Sequence, residues 1–143
     1  AVTVTGEEGN YEFEGDLDGS DNWEYICSVD LEGSMIPEFY YPVFNFALNY
    51  SERNGLKGSK YDEGWYVPSI YELHEIYINK NKINKSLKKA GDVLINLVFS
   101  HSSSQGISNN NVYSFWFNTG EVEDIAWKHG DCKLLVVHDF SVK

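Results

Sequence analysis

Gly64-Trp-Tyr-Val-Pro-Ser-Ile-Tyr-Glu-Leu73 is the stretch on which the fold turns. Pro68 has no backbone N–H to give, so a helix can open just after it. Ser69 and Glu72 then stand at capping-box spacing, in which each side chain accepts the other residue's backbone N–H. Ile70, Leu73, Ile76 and Tyr77 recur at helical spacing, which predicts a helix from Ser69 onward. Asn79–Asn81 is a candidate interruption. Ile83 and Leu87 extend the apolar stripe for a further turn or two, and Gly91 is the stop.

Working outward, residues 39–54 read as an earlier helix: Pro42 suits its first turn, Phe44, Ala47 and Leu48 form an apolar stripe, and Gly55 follows. Before it, turn signals at Gly6, Gly9-Asn10 and Asp18-Gly19 separate three β-prone runs, Val2–Thr5, Tyr11–Phe13 and Trp23–Ser28. After Gly91 the periodicity changes. Val93–Phe99 is a continuous apolar run, and His101–Asn111 is a polar segment rich in Ser and Asn, expected as a loop. Val112–Phe117 alternates, with Tyr113, Phe115 and Phe117 on one side and Ser114, Trp116 and Asn118 on the other. Thr119-Gly120 reads as a turn, Val122–Trp127 as the returning strand, and Leu134–Phe140 as a last apolar strand. Strands, two helices, then a run of antiparallel strands is an α+β order, not the alternation of a doubly wound sheet.

The chain has 143 residues, 42% of them hydrophobic, which suits one domain spanning 1–143 with a core of its own. Its net charge of −11 repels phosphate backbones and anionic lipid, so no nucleic-acid partner is expected. No run approaches the roughly 20 apolar residues of a membrane helix, so no membrane insertion is expected either. Charge is unevenly placed. Residues 1–50 hold 11 of the 22 acids and no Lys or Arg, whereas Lys80, Lys82, Lys85, Lys88 and Lys89 fall in one decapeptide without an acid. The sequence begins at Ala1 with no signal peptide in it, which agrees with a processed or trimmed N-terminus and leaves export open.

Catalytic signatures are sparse. No Gly-rich phosphate loop, HExxH or GxSxG occurs, and His74, His101, His129 and His138 form no HxH or HxxxH pair. His74 and His138 read as structural histidines. His101 beside Ser102–Ser104 lacks the spacing of a base that must reach a hydroxyl and be oriented by a third group. Asp16-Leu-Asp-Gly-Ser-Asp21 resembles part of a calcium loop but lacks its spacing and closing Glu, so a solvated turn is the expectation. Cys27 and Cys132 form no zinc-like pattern; two buried thiols and one disulfide both remain open. What stands out is aromatic and polar surface: alternation leaves Trp116 either exposed or core, and Trp127 ends a strand beside it.

Asp18-Gly-Ser-Asp-Asn-Trp-Glu-Tyr-Ile-Cys27, Tyr41-Pro-Val-Phe-Asn-Phe-Ala-Leu-Asn-Tyr50, Gly55-Leu-Lys-Gly58, Gly64-Trp-Tyr-Val-Pro-Ser-Ile-Tyr-Glu-Leu73, Ser102-Ser-Ser-Gln105 and Leu134-Leu-Val-Val-His-Asp-Phe140 occur in this order. Together they resemble the variable proteins of diversity-generating retroelements, of the treponemal variable protein type. These have the C-type lectin fold of the formylglycine-generating-enzyme kind. The resemblance runs from about residue 10 to 140 and is most specific in the 64–73 segment. The chain departs from the pattern at Phe99-Ser100-His101, where an aromatic pair is usual, and at His138, where an Arg is common.

The resemblance implies a C-type lectin-like fold, two helices with a twisted antiparallel sheet, and a non-enzymatic recognition or adhesion role at a cell surface or in secreted form. It places a variable surface at about residues 102–133, with Tyr113, Phe115, Phe117, Gly120 and Val122 as frame. The contact residues would be Ser114, Trp116, Asn118, Asp124, Ala126, Trp127, His129 and Asp131. Their partner would be a protein or other surface ligand, with no cofactor and no metal. The EPN, QPD and WND signatures of calcium-dependent sugar binding are missing, and Cys27 and Cys132 do not match the paired cysteines of the oxidases. An oxidase-like or metal-dependent enzyme on the same fold, or a structural adhesin or pilus subunit, are the alternatives.

Overall fold

The computed structural model describes residues 1–91, 95, 99–127 and 134–141, with backbone alone at 125–127. Among these residues the architecture is α+β, with seven helices and small antiparallel sheets. A hairpin, β1 (Val2–Thr5) with β2 (Glu12–Gly15), opens the chain. Five short helices follow: α1 (Asn22–Val29), α2 (Leu31–Ser34), α3 (Pro37–Tyr40), α4 (Pro42–Leu48) and α5 (Tyr50–Arg53). Strand β3 (Trp65–Tyr66) leads into α6 (Ile70–Ile78) and α7 (Lys80–Ala90). A three-stranded sheet of β4 (Phe99–Gln105), β5 (Asn111–Trp116) and β6 (Val122–Trp127) comes next, and β7 (Val137–His138) returns to pair with β3.

The capping box predicted at Ser69 is present: Ser69 Oγ accepts the Glu72 N–H at 3.1 Å, and Glu72 Oε2 accepts the Ser69 N–H at 2.8 Å. The helix breaks at Asn79, whose Nδ2 donates to the Glu75 carbonyl, and restarts as α7. Two expectations are corrected upstream. Trp23–Ser28 is helical rather than extended, because Trp23 and Ile26, three residues apart, both pack on the Phe44 cluster, which a strand could not arrange. The helix expected over 39–54 is three pieces, since Pro42 stands at the opening of α4 and starts it afresh after Tyr41. The helical complement therefore exceeds the two helices anticipated.

Two apolar clusters hold the layers together. In one, Ile70 and Leu73 of α6 meet Tyr113 and Phe115 of β5, with Phe117 and Val2. In the other, Phe44 and Ala47 of α4 meet Val67, with Trp23 and Ile26 of α1 against them. Tyr113, Phe115 and Phe117 are thus core, as the alternation predicts. The polar loop expected over 101–111 is half strand: β4 runs through Ser100–Ser104, all buried, and only Ile107–Asn110 are exposed. Of the last apolar strand expected over 134–140, Val137 and His138 alone pair. The apolar run expected over 93–99 lies outside the described residues except Ile95 and Phe99.

Candidate functional site

Serine lets β4 be buried because its hydroxyls satisfy neighbouring backbone. Ser100 Oγ accepts the Leu135 N–H at 3.2 Å, and Ser102 Oγ donates to the Tyr113 carbonyl at 2.7 Å while accepting the Ser104 N–H. The Ser103 N–H donates to the Pro68 carbonyl at 2.8 Å, and Ser104 Oγ accepts the Ile70 N–H at the start of α6. An irregularity between His101 and Gln105 gives the strand room for these contacts. The run therefore stitches the sheet to the 64–73 segment.

The same strand lines a cleft of about 550 Å³. Ser102, Ser103, Ser104 and Gln105 form one side, and Asn22, Tyr25, Ile26 and Val29 of α1 face them with Val43 and Phe44 of α4. Asn109 stands at its rim. Asn22 Nδ2 donates to Ser103 Oγ at 2.7 Å, tying α1 to the strand 81 residues later. Among the described residues, Ser103 Oγ accepts from Asn22 and Ser104 Oγ accepts from the Ile70 N–H. Apolar walls facing a polar strand are the chemistry of a small-molecule or side-chain pocket.

Beside the cleft, Asp30 caps α2 by accepting the Gly33 N–H and also accepts the Tyr41 hydroxyl at 2.6 Å. The Tyr41 hydrogen bond and then the Gly33 N–H hold the Asp30 carboxyl below its usual range. Burial first, then the Asp30 hydrogen bond, push the Tyr41 phenol up to about 12.

The expected contact residues do not share one face. Ser114 is fully buried, a correction with a plain reason: β5 is the central strand, with α6 on one face and the cleft and the β4 aromatics on the other. Trp116 is half-buried, its ring 4.8 Å from Phe99, and its Nε1 finds no partner among the described residues. Asn118 is exposed at the β5–β6 turn. Asp124 lies on the opposite face, since Glu123 pairs with Ser114 and Val122 with Phe115. There its Oδ1 accepts the Ile107 N–H at 2.9 Å and its carbonyl accepts Asn111 Nδ2, so it fastens the 106–111 turn. Ala126 and Trp127 are placed by backbone only, opposite Val112 and Asn111; His129 and Asp131 lie outside the described residues.

The other candidates resolve differently. His101 packs on Phe99, centroids 5.4 Å apart, while the Ser102 hydroxyl is spent on Tyr113, so no Ser–His pair forms between them. His74 sits among Tyr11, Phe13 and Phe115, and His138 among Tyr61, Trp65 and Phe140. Asp18 Oδ1 accepts the Ser20 N–H, which makes that acidic segment a turn. Among the described residues no three His, Cys, Asp or Glu converge on a point, and no helix is long and apolar enough to cross a membrane. Cys27 has no disulfide partner among the described residues, and Cys132 lies outside them. The cleft itself was not legible in the sequence, where its one signal was the Ser102–Ser104 run. No family model matches this chain, and neither a curated protein nor a solved structure matches it significantly.

Proposed function

We propose that the chain is a non-enzymatic recognition module, displayed at a cell surface or secreted, which takes a protein or other surface ligand at the α1–β4 cleft. The observation that carries this reading is the polar side of the cleft, Ser103, Ser104 and Gln105, set against the apolar wall of Ile26, Val43 and Phe44. The polar side suits hydrogen-bonding groups on the ligand and the wall suits its apolar body. Ser102 is engaged as a structural donor, which favours binding over nucleophilic use of the run.

The resemblance to retroelement variable proteins on a C-type lectin-like fold belongs to the same proposal. It is supported by the order of elements and by the buried frame residues Tyr113, Phe115 and Phe117. It is also supported by the place of Ser102–Gln105 at the start of the region the resemblance marks as variable. Trp116 and Asn118 would extend the surface at the other end of β5.

Amide chemical-shift mapping against a panel of short peptides and saccharides tests it. Shifts at Asn22, Ser103 and Gln105 that vanish in Asn109→Trp, an exposed rim position, are the expected result. Shifts confined to Trp116 and Asn118 would move the site away from the cleft, and none across the panel would end the cleft reading.

A further inference from the structure

The α1–β4 cleft is one-sided in charge. Among the described residues that line it, Asp16 is the one charged side chain, and no Lys, Arg or His joins it. The segments that build the walls, residues 1–44 and 102–112, contain no Lys or Arg. Asp16 lines the cleft beside Ala1, whose carbonyl accepts the Asp16 N–H at 3.2 Å. Its exposed carboxylate enters no hydrogen bond or ion pair among the described residues, the Ala1 amine included. A second carboxylate, that of Asp30, lies beyond the lining and accepts the hydroxyl of Tyr41, a lining residue, at 2.6 Å.

The uncharged lining includes aromatic surface from Tyr25, Tyr41 and Phe44 and aliphatic surface from Ile26, Val29 and Val43. Phe44 is fixed by Trp23, which stacks on it at 5.5 Å with the rings 29° apart, and by Tyr41 edge-on at 6.4 Å. Aromatic faces attract cations through their quadrupole, which adds to the pull of the carboxylates. An anion entering here would give up hydration and meet no base in the lining, and burying an unpaired charge is costly. A neutral group could form hydrogen bonds but would forgo the attraction of Asp16.

We infer that the ligand of this cleft is an amine on an apolar body, its ammonium set against Asp16 and its body against Ile26, Tyr41 and Phe44. The inference rests on the cleft reading above and names the class of ligand that the cleft takes. A free arylalkylamine and the lysine side chain of a surface protein share this chemistry. The net charge of −11 draws either toward the protein before it docks.

Three probes with one body test it: 2-phenylethylamine, 2-phenylethanol and 3-phenylpropionate, a cation, a neutral compound and an anion. Each is titrated into the whole protein while the amide shifts of Asn22, Ser103 and Gln105 are followed. The amine should bind about fivefold tighter than the alcohol, and the anion more weakly than both. The preference should shrink at about 1 M salt, where the Debye length is ~3 Å. Asp16→Asn, at an exposed position whose folding circular dichroism checks, should bring the amine to within about twofold of the alcohol. Acetylating the Ala1 amine, which removes a cation beside Asp16, should strengthen the amine further. Acetyl-Phe-Lys-Phe-amide against acetyl-Phe-Gln-Phe-amide separates the sources: a lysine peptide tighter than the free amine indicates a protein ligand, the reverse a small molecule. Amine and alcohol bound alike, the anion bound tightest, or a preference that survives Asp16→Asn overturns the inference and leaves the cleft reading standing. No shift from any of the three also overturns it, and the peptide and saccharide panel then decides the cleft separately.

Discussion

The Glu72 carboxylate accepts the backbone N–H of Gly19, 53 residues earlier in the chain, at 3.0 Å. The same oxygen completes the capping box with Ser69, and the other accepts the Tyr66 hydroxyl at 2.8 Å. One side chain therefore ends the N-terminal hairpin segment, closes β3 and opens α6. Ser69 reinforces the joint, donating its hydroxyl to the Leu17 carbonyl at 2.6 Å. Burial first, and the Glu72 hydrogen bond second, raise the Tyr66 phenol well above the usual tyrosine value.

Glu72→Ala should lower the unfolding free energy by about 2–3 kcal/mol, since a charged acceptor serving several donors is lost at once. Gly19→Ala should be nearly as harmful: a Cβ there would stand 2.6 Å from the Ser69 nitrogen and the Val67 carbonyl oxygen, backbone atoms that cannot swing away. Urea unfolding of the two variants measures this, and a change below about 0.5 kcal/mol in both would mean the joint is slack.

Stability should decline in mild acid. Burial holds the imidazoles of His74 and His101 below the usual 6.5, with Glu75 partly opposing at His74. Well above 6.5 both are neutral in either state and contribute no slope. As pH falls below that value the unfolded chain takes up protons that the folded chain refuses, so the folded state loses ground. His101, 3% exposed, supplies at most about 1.4 kcal/mol per pH unit. His101→Phe, beside Phe99, should flatten that part of the curve between neutral pH and the carboxylate range. An unchanged slope would show that His101 takes up its proton while folded.

Trp116→Ala should cost about 1–3 kcal/mol, less than the roughly 3–5 kcal/mol of a fully buried aromatic. Its ring packs on Phe99 but stays partly exposed, and its Nε1, unpartnered among the described residues, offsets part of the gain. A melting temperature unchanged from the parent would make Trp116 a free surface anchor instead.

Asp124→Ala should loosen the 106–111 turn without unfolding the sheet. The Ile107 amide, exposed but for its bond to Asp124, should exchange its hydrogen faster, while amides in β5 should not. Gly106→Ala should act the same way, because a Cβ at that position overlaps the Asp124 carboxylate. Faster exchange throughout β5 would mean the turn and the sheet are one cooperative unit.

The parts legible in the sequence were those with a local cause. Ser69 and Glu72 signal a helix start through their own spacing; Tyr113, Phe115 and Phe117 signal a core face through alternation. The Ser102–Ser104 run misled because polarity reads as exposure, yet a hydroxyl that satisfies a neighbouring backbone group can be buried at little cost. Trp23–Ser28 misled because aromatic and β-branched residues favour strands until a partner such as Phe44 rewards the helical spacing.

The sequence by itself determined the α+β order, the start of α6, the core face of β5 and the separation of acid from lysine, all of which depend on near neighbours. Only the tertiary structure decided which side chains share a surface. It buried Ser114, turned Asp124 to the other face, and brought Asn22 to Ser103 across 81 residues. The physical reason is that register and both-face burial are set by pairings between distant segments, and a one-residue step in a strand changes the side on which every later residue stands.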